Sequence, residues 1–497
     1  MHNRESSTLW TLQPPSALSD LASSNGLLEA QSTAREAAEP RSSPARAGVE
    51  PRLRALCGAS PQPSCDIQTC LSPYNYTHLH TSYVPPTCLL PCSLHATPTQ
   101  LTDIAPLSFI TPAPDAYNRN HSAIPDLDAA SHVVSVGGDV TNPLRLSIDQ
   151  LLHDFPQHEV LAALQCAGNR RHTMRTKLKE VVGLDWMDGA IMNCSWRGPR
   201  LRDVLLKAGV KGYTANSDDV SENTKGRTDG MTNGAVHGAV TRLKGLNAHF
   251  SSMKHPEMHV SFACDQALCE DDSYYGGSIE LWRAMALDRE VILALEMNGK
   301  PLEPAYGYPV RVVAPGVAGA RWVKWLDTIF VGPYESPNFY QQHDYKILPP
   351  EAITWEIAES YWSKVPAMQC MPVNSVVAVP DDDETVRLPP SGKLEVKGFA
   401  VPHGAEGPVR RVEVSADGGK TWVDAELNHG ADSFNKGGSK WAWVLWRAEV
   451  RVEKGRNLTI YSRATDAGGN TQQQTSPWNL RGVGYNGYGA SWNVSVV

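Results

Sequence analysis

The chain has 497 residues, a net charge of −8 and a sequence pI near 6.1, and 41% of its residues are apolar. That length predicts two to four domains, with core enough to fold without a disulfide scaffold. The mild acidity gives no nucleic-acid footprint, and no apolar run reaches the roughly 18 residues that a membrane helix needs.

Residues 1–104 are rich in Ser, Pro, Ala and Thr and show little periodicity, which predicts a disordered or leader segment. The charged start and apolar core of a secretory signal are missing there. Arg35, Arg41, Arg46, Arg52 and Arg54 alternate with Glu29, Glu36, Glu39 and Glu50, unlike an acid-poor transit peptide. Half of the ten cysteines (Cys57, Cys65, Cys70, Cys88, Cys92) fall in this stretch, and the others are Cys166, Cys194, Cys264, Cys269 and Cys370. No pair has Cys-x-x-Cys spacing, which argues against a zinc ribbon or dithiol motif and for a reducing compartment. Cytoplasm, mitochondrion and peroxisome all fit that reading.

From about residue 105 the texture changes. "SHVVSVGGDV" alternates like a strand and ends in a glycine turn. "LSIDQLLHDF" has helical spacing with Ser147 as N-cap, and "RLRDVLLKAGV" is a second short helix closed by Gly209. Residues 213–255 are polar, Gly-rich and aperiodic, and read either as a surface insertion or as a stretch that a correct gene model would lack. "EVILALEMNGKPL" is a buried strand turning at Asn298-Gly299, a strong hairpin signal. "YPVRVVAPG" and "VKWLDTIFVG" add further strands. The prediction for 105–350 is an α+β domain with mixed sheets. For 365–497 it is an Ig-like β-sandwich, from "KLEVKGFAV", "VRRVEVSADGGKTWVDAEL", "KWAWVLWRAEV" and "NLTIYSRATDAGGN".

The chemistry gathers at "LAALQCAGNRRHTM". Cys166 follows an apolar run, Gly168 lets the backbone bend, and Arg170 and Arg171 follow at once. Nearby positive charge lowers a thiol's pKa from about 8.5 into the range of roughly 3.5 to 7.5, and the thiolate binds metals or attacks electrophiles. A buried structural cysteine is the alternative. One cysteine cannot hold a metal alone, so other ligands would have to come from elsewhere.

"LQCAGNRR" resembles the signature of the sulfite oxidase family of molybdenum enzymes, which includes the molybdenum domain of eukaryotic nitrate reductase. "YNRNHSAIPDLD", "VGLDW", "EMNGKPLEP", "YPVRVVAPGVAGARWVKWLDTI", "DYKILPP" and "SPWNLRGVGYN" look like family blocks in family order, over roughly 105–497 outside the insertion. The resemblance implies one molybdenum-molybdopterin per chain. The Cys166 thiolate would ligate the metal, with two more sulfurs from the pterin. Tyr117, Asn118, Arg119, Asn120 and His121 would contact the pterin, with Arg119 also facing the anion pocket. Arg311 and the run Trp322, Val323 and Lys324 would hold its phosphate. Asp271 or Asp272 would make an acidic cofactor contact.

Two positions depart from the animal enzymes. Tyr306 stands where the family usually has a cofactor-contacting histidine; a phenol can donate one hydrogen bond but does not become cationic near neutral pH. Val182 stands where animal enzymes have a lysine. Two other positions separate the branches. Tyr345 in "DYK" and Arg481 in "WNLRG" resemble sulfite oxidases, whereas nitrate reductases resemble "DN" and tend to carry methionine at these places. The implied oxyanion pocket is Arg119, Arg171, Trp186, Tyr345 and Arg481. Arginines supply permanent planar charge for a dianion such as sulfite.

No His-Pro-Gly-Gly haem motif and no strand-following GxGxxG occur in the sequence. The chain therefore resembles haem-free, flavin-free members, with oxygen or a separate redox protein as acceptor, and the resemblance implies a homodimer through the C-terminal domain. The alternatives are a nitrate-reducing molybdenum enzyme without haem and flavin domains, and a non-catalytic dimeric interaction protein.

Overall fold

Alternation of side chains explains the C-terminal half. In the strand Lys393–Val401, Leu394 and Val396 point inward while Lys393 and Glu395 face solvent. Along Val444–Arg451, Arg447, Glu449 and Arg451 are the outward set. One sheet runs in the order Asn374–Val379, Lys393–Val401, Val444–Arg451 and Glu426–Asn428. The other runs Thr385–Val386, Gly489–Val496, Gly455–Asp466, Val409–Ser415 and Val423–Asp424. Val396, Val444 and Trp446 of the first sheet meet Val412, Ile460 and Val494 of the second in one apolar cluster. Each such residue contributes roughly 1.5–3 kcal/mol by leaving water. This is the β-sandwich that the alternation predicts.

The computed structural model describes residues 108–211, 258–430 and 440–497, all within the compact unit Pro85–Val497. The expected leader 1–104 and insertion 213–255 lie outside the described residues. Among the described residues, no helix is long and apolar enough to cross a membrane.

The first half is a body of mixed sheets with few and short helices, as expected. Its five-stranded sheet runs Leu144–Ser147, Val133–Gly138, Thr328–Gly332, His259–Cys264 and Tyr275–Glu280. The pairing of Val133–Gly138 with Thr328–Gly332 is parallel; the other pairings are antiparallel. A four-stranded sheet holds Gln157–Gln165, Ile191–Pro199, Glu296–Met297 and Lys300–Pro301. Arg311–Val313 pairs with Ile292–Ala294.

The local signals act as predicted. Ser147 caps the helix Ile148–His153 with a capping box: its hydroxyl accepts from Gln150 N–H at 3.1 Å, and Gln150 Oε1 accepts from Ser147 N–H at 3.0 Å. Gly209, at φ +67°, closes the helix Leu201–Ala208. Asn298 and Gly299, at φ +52° and +73°, make the tight hairpin.

Candidate functional site

Cys166 stands directly after the strand Gln157–Gln165, whose last residue pairs with Ile191. Its N–H donates to the Ala190 carbonyl at 2.9 Å, and its carbonyl accepts from Asn169 N–H at 3.0 Å, so the chain turns at once. The sulfur accepts from Gly168 N–H at 3.4 Å. It faces a cleft that is partly open to solvent. Tyr117, Arg119, Asn120 and His121 line the cleft from the N-terminal segment, and Tyr275, Arg311, Trp322, Lys324 and Tyr345 from later ones.

The sequence places two arginines beside the thiol, and the structure separates them. Arg170 is 1% exposed and adopts φ +68°, which turns its side chain into the C-terminal domain. Nη1 donates to Asn374 Oδ1 and to the Gly487 carbonyl, each at 2.9 Å, and Nη2 to the Tyr488 carbonyl at 2.8 Å. Its guanidinium also lies over the Tyr485 ring. Arg170 therefore joins two domains rather than serving the thiol, which corrects the expectation of a paired charge.

Arg171 stays near the cleft. Nε donates to the Arg481 carbonyl at 2.9 Å and Nη1 to the Leu184 carbonyl at 2.8 Å. A Cβ on Gly168, Gly183 or Gly482 would come within 3.0 Å of this side chain, so three glycines make room for one guanidinium. Burial pushes its pKa down, and the neighbouring Cys166, Tyr345 and Tyr117 act against that. Trp186 packs edge-on against Tyr117 at 5.3 Å. Arg481 ion-pairs Asp344, next to Tyr345, and its Nη1 donates to the Val182 carbonyl at 3.1 Å. Arg171, Trp186 and Arg481 thus stand behind the lining residues.

At the other end, a buried cation, Arg311, and a half-buried one, Lys324, stand without a counter-charge among the described residues. Arg311 donates to the Tyr306 and Trp322 carbonyls at 2.9 and 3.0 Å. Lys324 Nζ contacts Asn118 Oδ1 at 2.6 Å, Asn120 Oδ1 at 2.5 Å and the Ala305 carbonyl at 2.8 Å. Burial pushes Arg311 down to about 9 and Lys324 well below its ordinary value. Neither has a carboxylate partner among the described residues, and the buried atoms Asn120 Nδ2 and Arg311 Nε lack any partner. Buried charge left this way calls for an anionic ligand. Val323 has no exposed surface and uses its carbonyl to accept from Val312 N–H at 2.8 Å.

Tyr306 does not line the cleft. Its hydroxyl contacts the Ala113 and Ala116 carbonyls at 2.7 and 3.0 Å, fixing the segment that leads into Tyr117. Asp271 also lies outside the lining; its N–H donates to the Tyr340 hydroxyl at 3.2 Å. Asp272 accepts from Phe339 N–H at 2.8 Å and Asn338 Nδ2 at 3.0 Å, a structural clasp.

The acidic group that does reach the site is Glu270, which the sequence reading passed over. Its carboxylate lies 2.6 Å from Arg119 Nη2 and 3.2 Å from His121 Nδ1. Burial raises its pKa, but hydrogen bonds from His121 and Arg119 outweigh that and hold it at about 2. Burial pushes His121 down to about 4. A neutral His121 donating from Nδ1 to Glu270 leaves Nε2 to accept from the Tyr345 hydroxyl, 2.8 Å away. Asp344 was missed too. Both acids are ordinary in sequence and are marked only by their partners in space.

The donor set fits a metal held by one thiolate with an anionic cofactor tail. Among the described residues no group of three His, Cys, Asp or Glu could hold a metal ion, so a metal at Cys166 would take its other ligands from a bound group.

Comparison with known proteins agrees. The oxidoreductase molybdopterin binding domain model matches residues 121–340, and the Mo-co oxidoreductase dimerisation domain model matches 365–495. The chain is 40% identical over 384 residues to the mitochondrial sulfite oxidase of Homo sapiens, covering 76% of this chain and 60% of that protein. It is 36% identical to the sulfite oxidase of Arabidopsis thaliana, covering 76% and 86%. It is 34% identical to a nitrate reductase [NAD(P)H] of Hordeum vulgare, covering 76% and 38%. The chain thus spans 60% of the length of the human relative. The crystal structure of the sulfane dehydrogenase SoxCD from Paracoccus pantotrophus superposes with a TM-score of 0.56 at 23% identity, covering 77% of this chain and 80% of that one. That likeness is one of fold.

Proposed function

Because this chain belongs to the sulfite oxidase family of molybdopterin oxidoreductases, we propose that it oxidises sulfite to sulfate with a molybdenum cofactor. The observation that carries this reading is that the Cys166 thiol, Arg119 and Tyr345 line one cleft with Arg311 and Lys324, two cations that have no carboxylate partner among the described residues. Bound through Cys166 and the pterin's own sulfurs, the molybdenum group supplies two-electron oxygen-transfer chemistry. Arg311, Lys324 and the free Asn120 amide would hold the cofactor's anionic tail. Tyr117, backed by Trp186, would wall the metal end.

The substrate is a small oxyanion. Arg119 and Arg171 supply fixed positive charge, and Arg481 supports Arg171 through its carbonyl. Arg481 itself is neutralised by Asp344, so it shapes the pocket more than it charges it. The Tyr345 hydroxyl, oriented by His121, presents its lone pairs to the cleft. Net conversion of sulfite and water to sulfate releases two protons and two electrons. The chain Tyr345, His121, Glu270 offers hydrogen-bonded steps of 2.8 and 3.2 Å for a proton. The electrons go to oxygen or to a separate redox protein. The chain works as a homodimer through the sandwich, a reading supported by the dimerisation-domain match.

The barley nitrate reductase is almost as similar as the plant sulfite oxidase, so substrate choice is the decisive assay. Protein from a host that makes molybdopterin is given sulfite with ferricyanide, and nitrate with a reduced viologen dye. Turnover of sulfite alone supports the proposal. Turnover of nitrate alone replaces it.

A further inference from the structure

Among the described residues, Glu270 is the carboxylate that ion-pairs a cation lining the cleft. The pair is built in rather than loose. Glu270 N–H donates to the His121 carbonyl at 3.0 Å, and the neighbouring Cys269 bridges Ser122. The carboxylate is therefore carried on a backbone clasp to the same segment that presents Arg119. Two Arg119 donors are engaged here: Nη1 donates to the Asn120 carbonyl, and Nη2 to Glu270 Oε2 at 2.6 Å. An oxyanion that approaches Arg119 meets a guanidinium whose charge is already shared with a carboxylate.

We infer that Glu270 is an internal counter-ion that competes with the oxyanion for Arg119 and so sets how tightly the site holds doubly charged anions; the inference rests on the oxyanion-oxidase reading above. A fixed negative charge a few ångströms from the bound anion weakens a dianion about twice as much as a monoanion, since the Coulomb term scales with charge. Sulfite and sulfate are penalised together, which speeds product release at the expense of substrate affinity. Glu270 is half-exposed, so solvent screens the effect, and an affinity change of about three- to tenfold is the scale expected for such a pair. Because the group is held ionised well below neutrality, no ordinary working pH relieves the competition.

The test uses the molybdenum-loaded protein and its Glu270→Gln and Glu270→Ala variants, with thermal unfolding checked for each. Sulfate binding is measured by calorimetry, nitrate binding in parallel, and sulfite KM and kcat on the same samples. Both variants are expected to bind sulfate about three- to tenfold more tightly, to gain less for nitrate, and to lower the sulfite KM by a similar factor. The gain should vanish when Arg119→Gln is added. Sulfate affinity that stays the same or weakens overturns the inference; a weakening would make Glu270 a positioning residue for Arg119. A fall in kcat with unchanged anion affinity also overturns it and assigns Glu270 to proton transfer. Absence of sulfite turnover in the unmutated protein would count against the proposed reaction alone, since the sulfate titration still decides the role of Glu270.

Discussion

Arg171 donates its Nε–H to the backbone carbonyl of Arg481 at 2.9 Å, so one arginine behind the cleft wall is held by the main chain of another. Arg171, at the start of the helix Arg171–Lys177, and Arg481 are 310 residues apart in the chain, and this bond ties the two segments beside the cleft. Its geometry depends on empty space at three glycines.

Gly168→Ala tests that dependence. The new Cβ would fall on the Arg171 guanidinium. Gly168 has no left-handed requirement, so the backbone tolerates alanine and the strain falls on Arg171. We expect the sulfite KM to rise about tenfold or more, the scale of a lost hydrogen bond to a charged group. Steady-state kinetics beside a thermal melt read this, and an unchanged KM would remove Arg171 from the pocket.

Tyr306→Phe tests one of the two departures from the animal pattern. The hydroxyl, with one proton to donate, lies 2.7 Å from the Ala113 carbonyl and 3.0 Å from that of Ala116, and its removal costs this segment a hydrogen bond. A loss of about 1–3 kcal/mol is expected by chemical denaturation. Cofactor retention should fall with it, because the same segment leads into Tyr117. A variant as stable as the parent would show that the phenol does not hold this segment.

His121 gives the protein an acid limb. Its folded pKa is about 4, below the unfolded value of 6.5, because burial disfavours the cation; Arg119 and Lys324 act in the same direction and Glu270 against it. The unfolded chain therefore binds the proton first. Stability from this residue is complete above about pH 6.5 and is lost as pH falls toward 4, on the order of 3 kcal/mol in all. Thermal midpoints taken between pH 7 and 4.5 should drop less steeply in His121→Gln than in the parent. Parallel curves would contradict a buried neutral imidazole.

What the sequence made legible was local. The Ser147 capping box, the Gly209 stop and the Asn298-Gly299 turn each act through neighbours within four residues. The alternation in Lys393–Val401 is a property of the strand itself. The strands His259–Cys264 and Tyr275–Glu280 escaped the reading, the first because it is short and follows a long aperiodic stretch, the second because Gly276 and Gly277 blur its alternation. Most of the polar residues lining the cleft were named through family resemblance, not through spacing, and Tyr275 was not named at all. What no local pattern could give was pairing across the chain: Arg170 with Asn374, Arg481 with Asp344, and Arg119 with Glu270. Each is set by tertiary packing, so a charge that looks adjacent to Cys166 in sequence can serve another domain.

Cys166 is proposed to hold molybdenum for sulfite oxidation. The most direct measurement compares the parent with Cys166→Ser, both made in a molybdopterin-producing host. Elemental molybdenum and sulfite-dependent ferricyanide reduction are read on the same samples. The account predicts about one molybdenum per chain and sulfite turnover in the parent, with turnover lost in the variant because a hydroxyl is a poor substitute for the soft thiolate. A variant that keeps both the metal and the parent's turnover would contradict it.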